Sequence, residues 1–177
     1  IAWQSADPSF QTQAQLGIKY AATALPYQRC ASEVGVSQDS TSSIGLMGTS
    51  NYVGNFGVSE PGVDGEGVFF RGSEIAFRDV TDGLSTTFLA GERSFRYAEA
   101  TWVGAVSGAQ QVPTPSSPMA FQINNASNFV LAHAGESFDG AHGATEINNF
   151  TSRHGRGGNY LFADAHVSVL GDETDYS

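Results

Sequence analysis

Arg153-His154-Gly155-Arg156-Gly157-Gly158-Asn159-Tyr160-Leu161-Phe162-Ala163-Asp164-Ala165-His166-Val167-Ser168-Val169-Leu170 decides the fold class. A polar, Gly-rich lead-in precedes two short runs that alternate at period two, which predicts a β-hairpin with a tight turn. With Asp164-Ala165 as a two-residue turn, Ala163 pairs with His166, Phe162 with Val167, Leu161 with Ser168 and Tyr160 with Val169. This register predicts Tyr160, Phe162, Val167 and Val169 on the core face, with His166 pointing the other way. A type I′ turn sets Ala165 at positive φ, where a Cβ costs about 1–2 kcal/mol. The sequence therefore predicts either a strained Ala165 or a longer, bulged loop.

Working outward, Ser50 to Gly57, Thr86 to Arg93 and Ala100 to Val106 are rich in aromatic and β-branched residues and read as strands. Gly67 to Arg71 and Ser73 to Arg78 read as a strand pair around Gly72. Residues 9–25 carry an uneven apolar stripe, with Ser9 as a cap and Pro26 as a stop, which suggests a modest helix. Asp79, Thr81 and Asp82 offer capping oxygens for one helical turn over residues 79–85. Residues 107–120, with Pro113, Pro115 and Pro118, form a loop rather than a linker. The expected architecture is a single α+β domain over residues 1–177, dominated by antiparallel sheet with a short N-terminal helix.

Composition narrows the function classes. At 177 residues and 40% hydrophobic, the chain suits one cored domain rather than two. A formal charge of -10 with 8 Lys+Arg argues against nucleic acid and anionic lipid, both of which need clustered cations. With 21 Gly and 15% charged residues, the chain reads as a turn-rich β protein. Neither a membrane-spanning apolar run nor a signal-peptide pattern is visible, and the sequence opens at Ile1. Cys30 is alone, which excludes an internal disulfide and a multi-thiolate metal site. It is either a buried thiol or one paired to a segment outside this chain.

Candidate chemistry is thin. His133, His142, His154 and His166 do not form the one-turn pair of a metalloprotease helix, so zinc is open only through residues distant in sequence. No G-x-S-x-G elbow supports a serine nucleophile, and no catalytic residue is assigned. His154, set before Gly155, Gly157 and Gly158, is read as a structural latch to Asp164, with a ligand site as the alternative. No cofactor is expected unless calcium binds acidic loop residues such as Asp164, Asp172 and Asp175, with Asp79, Asp82, Asp139 and Glu173 as further oxygen donors. Trp3, Trp102, Tyr27 and Tyr52 suit either a sheet core or a carbohydrate surface. Asn125 and Asn149 stand in N-x-S/T sequons.

His154, the nine-residue gap and Asp164 resemble the H-x(9)-D-G signature of the prepilin-type processing-associated family, bacterial envelope proteins of unknown function. The segments Gly67–Phe70, Arg78–Ser94, Ser50–Gly57 and Leu25–Glu33 resemble the family's other words in the same order, the last its "C-P-S-D" segment. Within the signature, His154, Asn159 and Asp164 are the motif residues. Two departures stand out: Ala165 replaces the motif Gly, and Ala31-Ser32-Glu33 replaces Pro-Ser-Asp. The resemblance implies the soluble head of a pilin-like or type II secretion pseudopilin-like subunit at the cell envelope, extracellular or periplasmic. Its membrane helix would lie outside this chain. Such a protein works by assembly with other pilin-like subunits or with itself, not by catalysis. The alternatives are an extracellular ligand- or carbohydrate-binding module and a hydrolase with a nonstandard site.

Overall fold

Tyr160 and Phe162 are buried while Val167 and Val169 of the same hairpin are exposed, at 63% and 62%. This pattern is the signature of the actual register, seen in a computed structural model that describes residues 21–33, 38–41, 45–58, 65–95, 98–105, 126–133, 148–155 and 157–171. The strands are β1 (Gln38–Thr41), β2 (Gly45–Ser50), β3 (Tyr52–Gly57), β4 (Phe88–Glu92), β5 (Ala100–Thr101), β6 (Leu131–His133), β7 (Gly158–Phe162) and β8 (Val167–Leu170). They form a five-stranded sheet in the order β6-β3-β4-β7-β8 and a smaller sheet β1-β2-β5. β3 and β6 run parallel, and the other neighbours run antiparallel.

The fold is mainly β, which corrects the α+β expectation. Among the described residues, helical structure amounts to Ala21 and short 3₁₀ turns at Pro26–Gln28, Phe77–Asp79 and Ala126–Phe129. Strand pairing rather than helix packing supplies the described core. Most of the helix expected over residues 9–25 lies outside the described residues; of the rest, Ala21 is helical, residues 23–25 are not, and Pro26 opens a 3₁₀ turn. The strand pair expected around Gly72 is also absent. Residues 65–70 ride along the end of β3 instead, with Gly67 N–H donating to Phe56 O at 2.7 Å and Phe69 N–H to Asn55 O at 3.2 Å.

The hairpin register is shifted by one residue from expectation: Leu161 faces Val167, Tyr160 faces Ser168 and Asn159 faces Val169. The loop is longer than two residues. Phe162 and His166 close it, with Ala165 N–H donating to Phe162 O and Phe162 N–H to His166 O, both at 2.9 Å. Ala165 takes φ 72°, the left-handed position of a bulged loop. A one-residue slip sends every side chain to the opposite face. Val167 and Val169 therefore leave the core, and the His166 ring stacks on Phe162 at 4.3 Å instead of turning away from it.

On the core face, Val53, Ala100, Ala132, Phe150, Tyr160 and Phe162 pack together, with Phe88 and Leu170 against them. The rings meet edge to face: Phe88 lies 5.1 Å from Tyr160 and 5.6 Å from Phe150, and Phe150 lies 5.3 Å from Tyr160. Burying each such ring contributes about 1.5–3 kcal/mol. Gly91 permits the approach, since a Cβ there would stand 2.6 Å from Tyr160 Cε1 and 2.7 Å from Phe150 Cδ1.

The other face carries Leu131, Gly54, Ala90, Leu161 and Val167 in one row of register partners that crosses all five strands. This apolar row floors an open concavity of about 540 Å³ that Phe69 also lines. Tyr52 and Asn159 stand at one end of it, on the flank where Glu92 ends β4.

Candidate functional site

Glu92 is buried, at 3% exposure, between Tyr52 and Asn159 at the end of the apolar row. A lone carboxylate so placed is costly unless it is hydrogen-bonded, and here it is. The Ser152 hydroxyl donates to Oε2 at 2.8 Å, the Asn159 N–H donates to Oε2 at 3.0 Å, and Asn159 Nδ2 donates to Oε1 at 3.0 Å. Thr151 N–H donates to the Glu92 carbonyl at 3.0 Å, which holds Ser152 in reach. Ser152 Oγ in turn accepts the His154 N–H at 3.1 Å and so folds the chain back over the strand.

That fold-back brings His154 Nε2 to 3.4 Å from Glu92 Oε1 and 3.3 Å from Cys30 Sγ. Cys30 is placed by Asn51, whose Oδ1 accepts the Cys30 N–H at 3.0 Å. Burial first, and then the Glu92 charge, push the Cys30 thiol up from its ordinary value. Burial, Glu92 and Cys30 do the same to the Tyr52 phenol. A nucleophilic thiol needs the opposite shift, toward thiolate. The geometry also differs from a relay, in which the carboxylate holds the second ring nitrogen while the first faces the thiol. Here the sulfur and the carboxylate oxygen crowd the same nitrogen. The arrangement is suited to sharing a proton or holding a cation, not to launching a nucleophile.

A second polar layer locks the same segments. Glu33 takes the Arg153 guanidinium at 2.9 Å, Phe95 N–H at 3.1 Å and Asn51 Nδ2 at 3.3 Å. Arg93 is wholly enclosed and directs Nη2 to Leu131 O at 2.8 Å and Nη1 to Asn128 O. Burial pushes its guanidinium down to about 9. Arg29 reaches Thr49 Oγ1 at 2.9 Å and lies 4.6 Å over the Phe95 ring.

The residues singled out in the sequence separate into distinct places. His154 and Asp164 do not meet as a latch: His154 joins Cys30 and Glu92, while Asp164 is exposed and accepts from His166, at 3.1 Å from the N–H and 2.5 Å from Nδ1. Those bonds, the backbone one first, pull the Asp164 carboxyl below its ordinary value. Asn159 belongs with His154, through Glu92. Asp79 caps a 3₁₀ turn by accepting Ala76 N–H at 2.9 Å, from within the turn rather than from its start. Thr81 Oγ1 donates to Asp82 Oδ1 at 3.4 Å in the turn that follows, and residues 80–85 form turns rather than a regular helix.

Asp172 and Asp175 lie outside the described residues, as do Asp139, His142, Glu173, Trp3 and Asn125. His133 is buried in β6, and Asn149, at 5% exposure, is too buried to present its sequon in the folded state. Trp102 Nε1 donates to Thr23 O at 3.0 Å, and Tyr27 is 73% exposed. Sequence reading missed Glu92, Asn51, Glu33 and Ser152 as site residues. The signal was the set of quoted segments itself: Cys30–Glu33, Ser50–Gly57, Gly91–Ser94 and the lead-in at Arg153–His154 all converge here.

No curated protein and no solved structure matches the chain. A family model, SBP_bac_10, matches residues 2–177, and the chain belongs to that family, described as proteins of unknown function (DUF1559).

Proposed function

We propose that the chain is a non-catalytic assembly protein of the bacterial cell envelope, the head of a pilin-like or type II secretion pseudopilin-like subunit outside the cytoplasm. The H-x(9)-D-G resemblance and an attachment helix beyond this sequence belong to the same reading. One observation carries it. The edge strand β8, Val167-Ser168-Val169-Leu170, has neither a charge nor a proline, and it exposes Val167 and Val169 beside Leu161 and the apolar concavity. Soluble proteins usually blunt such edges with Lys, Pro or bulges, because an open edge templates pairing with another strand. The occupant that fits is a second subunit of the same kind, whose own edge strand would extend the sheet by main-chain pairing while valines pack across the junction.

Light scattering and electron microscopy of wild type against a Val167→Lys/Val169→Lys variant test the reading. Wild type forms ordered oligomers or filaments, and the variant stays monomeric with an unchanged circular dichroism spectrum. A wild type that remains monomeric at every concentration and salt level sinks the proposal. A ligand-binding module is the second reading, favoured by the concavity of about 540 Å³, a size that suits a small ligand. Saccharide binding by the monomer, lost on Leu161→Asp, would promote it over assembly.

A further inference from the structure

Cys30, Glu92 and His154 come from segments far apart in the chain, the cysteine and the histidine being 124 positions apart, yet their ligand atoms all lie within 4.8 Å of one another. We propose that these three side chains form a binding site for a single zinc-class divalent ion, with Cys30 Sγ, one Glu92 carboxylate oxygen and His154 Nε2 as ligands and the fourth position open to water.

The spacing fits the ion. A tetrahedral zinc at ordinary bond lengths holds a sulfur and a nitrogen ligand about 3.6 Å apart, and a nitrogen and an oxygen ligand about 3.3–3.4 Å apart. The observed separations are 3.3 Å for Cys30 Sγ to His154 Nε2 and 3.4 Å for His154 Nε2 to Glu92 Oε1. Convergence of sulfur and oxygen on one ring nitrogen, which argues against a catalytic relay, is what a shared ion requires.

The surroundings fit as well. Metal-binding carboxylates are held by outer hydrogen bonds, and Glu92 accepts from Ser152 and twice from Asn159. Oε2 takes two of these donors and Oε1 one, so Oε1 keeps a lone pair on the side of His154 and Cys30. Thiolate and carboxylate together offset the two charges of the ion. The half-exposed His154 ring leaves a route for entry and for a water ligand. Binding replaces the Cys30 S–H bond with a sulfur–metal bond and releases that proton to solvent. Calcium does not suit the site, because thiolate and imidazole are soft partners for a hard ion. The proposal does not rest on the assembly reading, and an ion there would clamp the Cys30 loop and the residue 152–155 fold-back to the end of β4.

The test uses chelator-treated wild-type protein titrated with Co²⁺ and then Zn²⁺. One equivalent of Co²⁺ should give a thiolate-to-cobalt charge-transfer band in the near ultraviolet, and Zn²⁺ should abolish it. Cys30→Ser should remove the band, and Ser152→Ala should weaken Zn²⁺ binding about 10–100-fold by loosening Glu92. A wild-type readout guards against misfolded variants: Zn²⁺ should protect Cys30 from maleimide alkylation. Absence of the band, alkylation unaffected by Zn²⁺, or equal Zn²⁺ affinity in Cys30→Ser each overturns the proposal.

Discussion

Asn159 donates to the Glu92 carboxylate twice, through its backbone N–H and its side-chain amide, each at 3.0 Å, and so ties β7 to the end of β4 where His154 folds over. Removing the acceptor strands the donors. Glu92→Ala leaves the Ser152 hydroxyl and the Asn159 N–H without this partner in a buried place, at about 1–3 kcal/mol for each unsatisfied group. We expect a loss of about 3 kcal/mol in urea denaturation at neutral pH. Asn159→Ala, which keeps the backbone bond, should lose about 1–2 kcal/mol.

Ala165 sits at φ 72° in the hairpin loop, exposed, with its N–H bonded to Phe162 O. Its Cβ costs about 1–2 kcal/mol there, partly offset on Gly substitution by the greater freedom of the unfolded chain. Ala165→Gly should therefore stabilise the protein by about 0.5–1 kcal/mol, read as a higher melting temperature. A lower one would mean that the loop conformation is different.

Gly91 touches the Tyr160 and Phe150 rings so closely that any Cβ must displace them. Gly91→Ala should cost about 1–3 kcal/mol by overpacking and disturb the near-ultraviolet circular dichroism of the aromatic cluster. An unperturbed spectrum and melting temperature would contradict the packing described.

Asp164 is held below its ordinary carboxylate value by the His166 N–H first and the His166 ring second. A depressed folded value contributes stability above the unfolded value, and that contribution is lost as pH falls through the folded one. The loss therefore lies in the acid range below about pH 4. A carboxyl titration followed by NMR should place Asp164 below a free aspartate. His166→Ala should leave most of the depression, because the backbone donor stays.

Self-association of a chain with net charge -10 is opposed by its own field. Raising salt from 0.01 M to 0.15 M shortens the screening length from about 30 Å to about 8 Å. Oligomerisation through β8 should strengthen over that range, which sedimentation velocity can follow.

The sequence was most legible where local pattern and tertiary need agree. β3, β4 and β7 were visible as alternating or aromatic runs, and Tyr160 and Phe162 were correctly placed in the core. Register was legible only in part: Ala165 in the turn implied either strain or a bulged loop, and it takes φ 72° in a longer loop, but the alternation of Val167 and Val169 cannot say which face is wet. Valines exposed at an edge look identical in sequence to valines in a core. The site was legible as a set of unusual segments and not as chemistry. Cys30, Glu92 and His154 become neighbours through the Asn51, Ser152 and Asn159 bonds, and no local spacing encodes such long-range contacts. The loop residues near Gly72 misled because alternation over a few residues does not supply a strand with a partner.

The proposed subunit interface is the exposed edge at β8. A photo-crosslinking residue placed at Val169 in the cell that makes this protein reports on it directly, with Phe77, 69% exposed and outside the concavity lining, as the control position. An interface at β8 gives a discrete adduct between copies of this chain or pilin-like subunits from position 169, and little from 77. Equal, diffuse labelling from both positions, or none from 169, would contradict it.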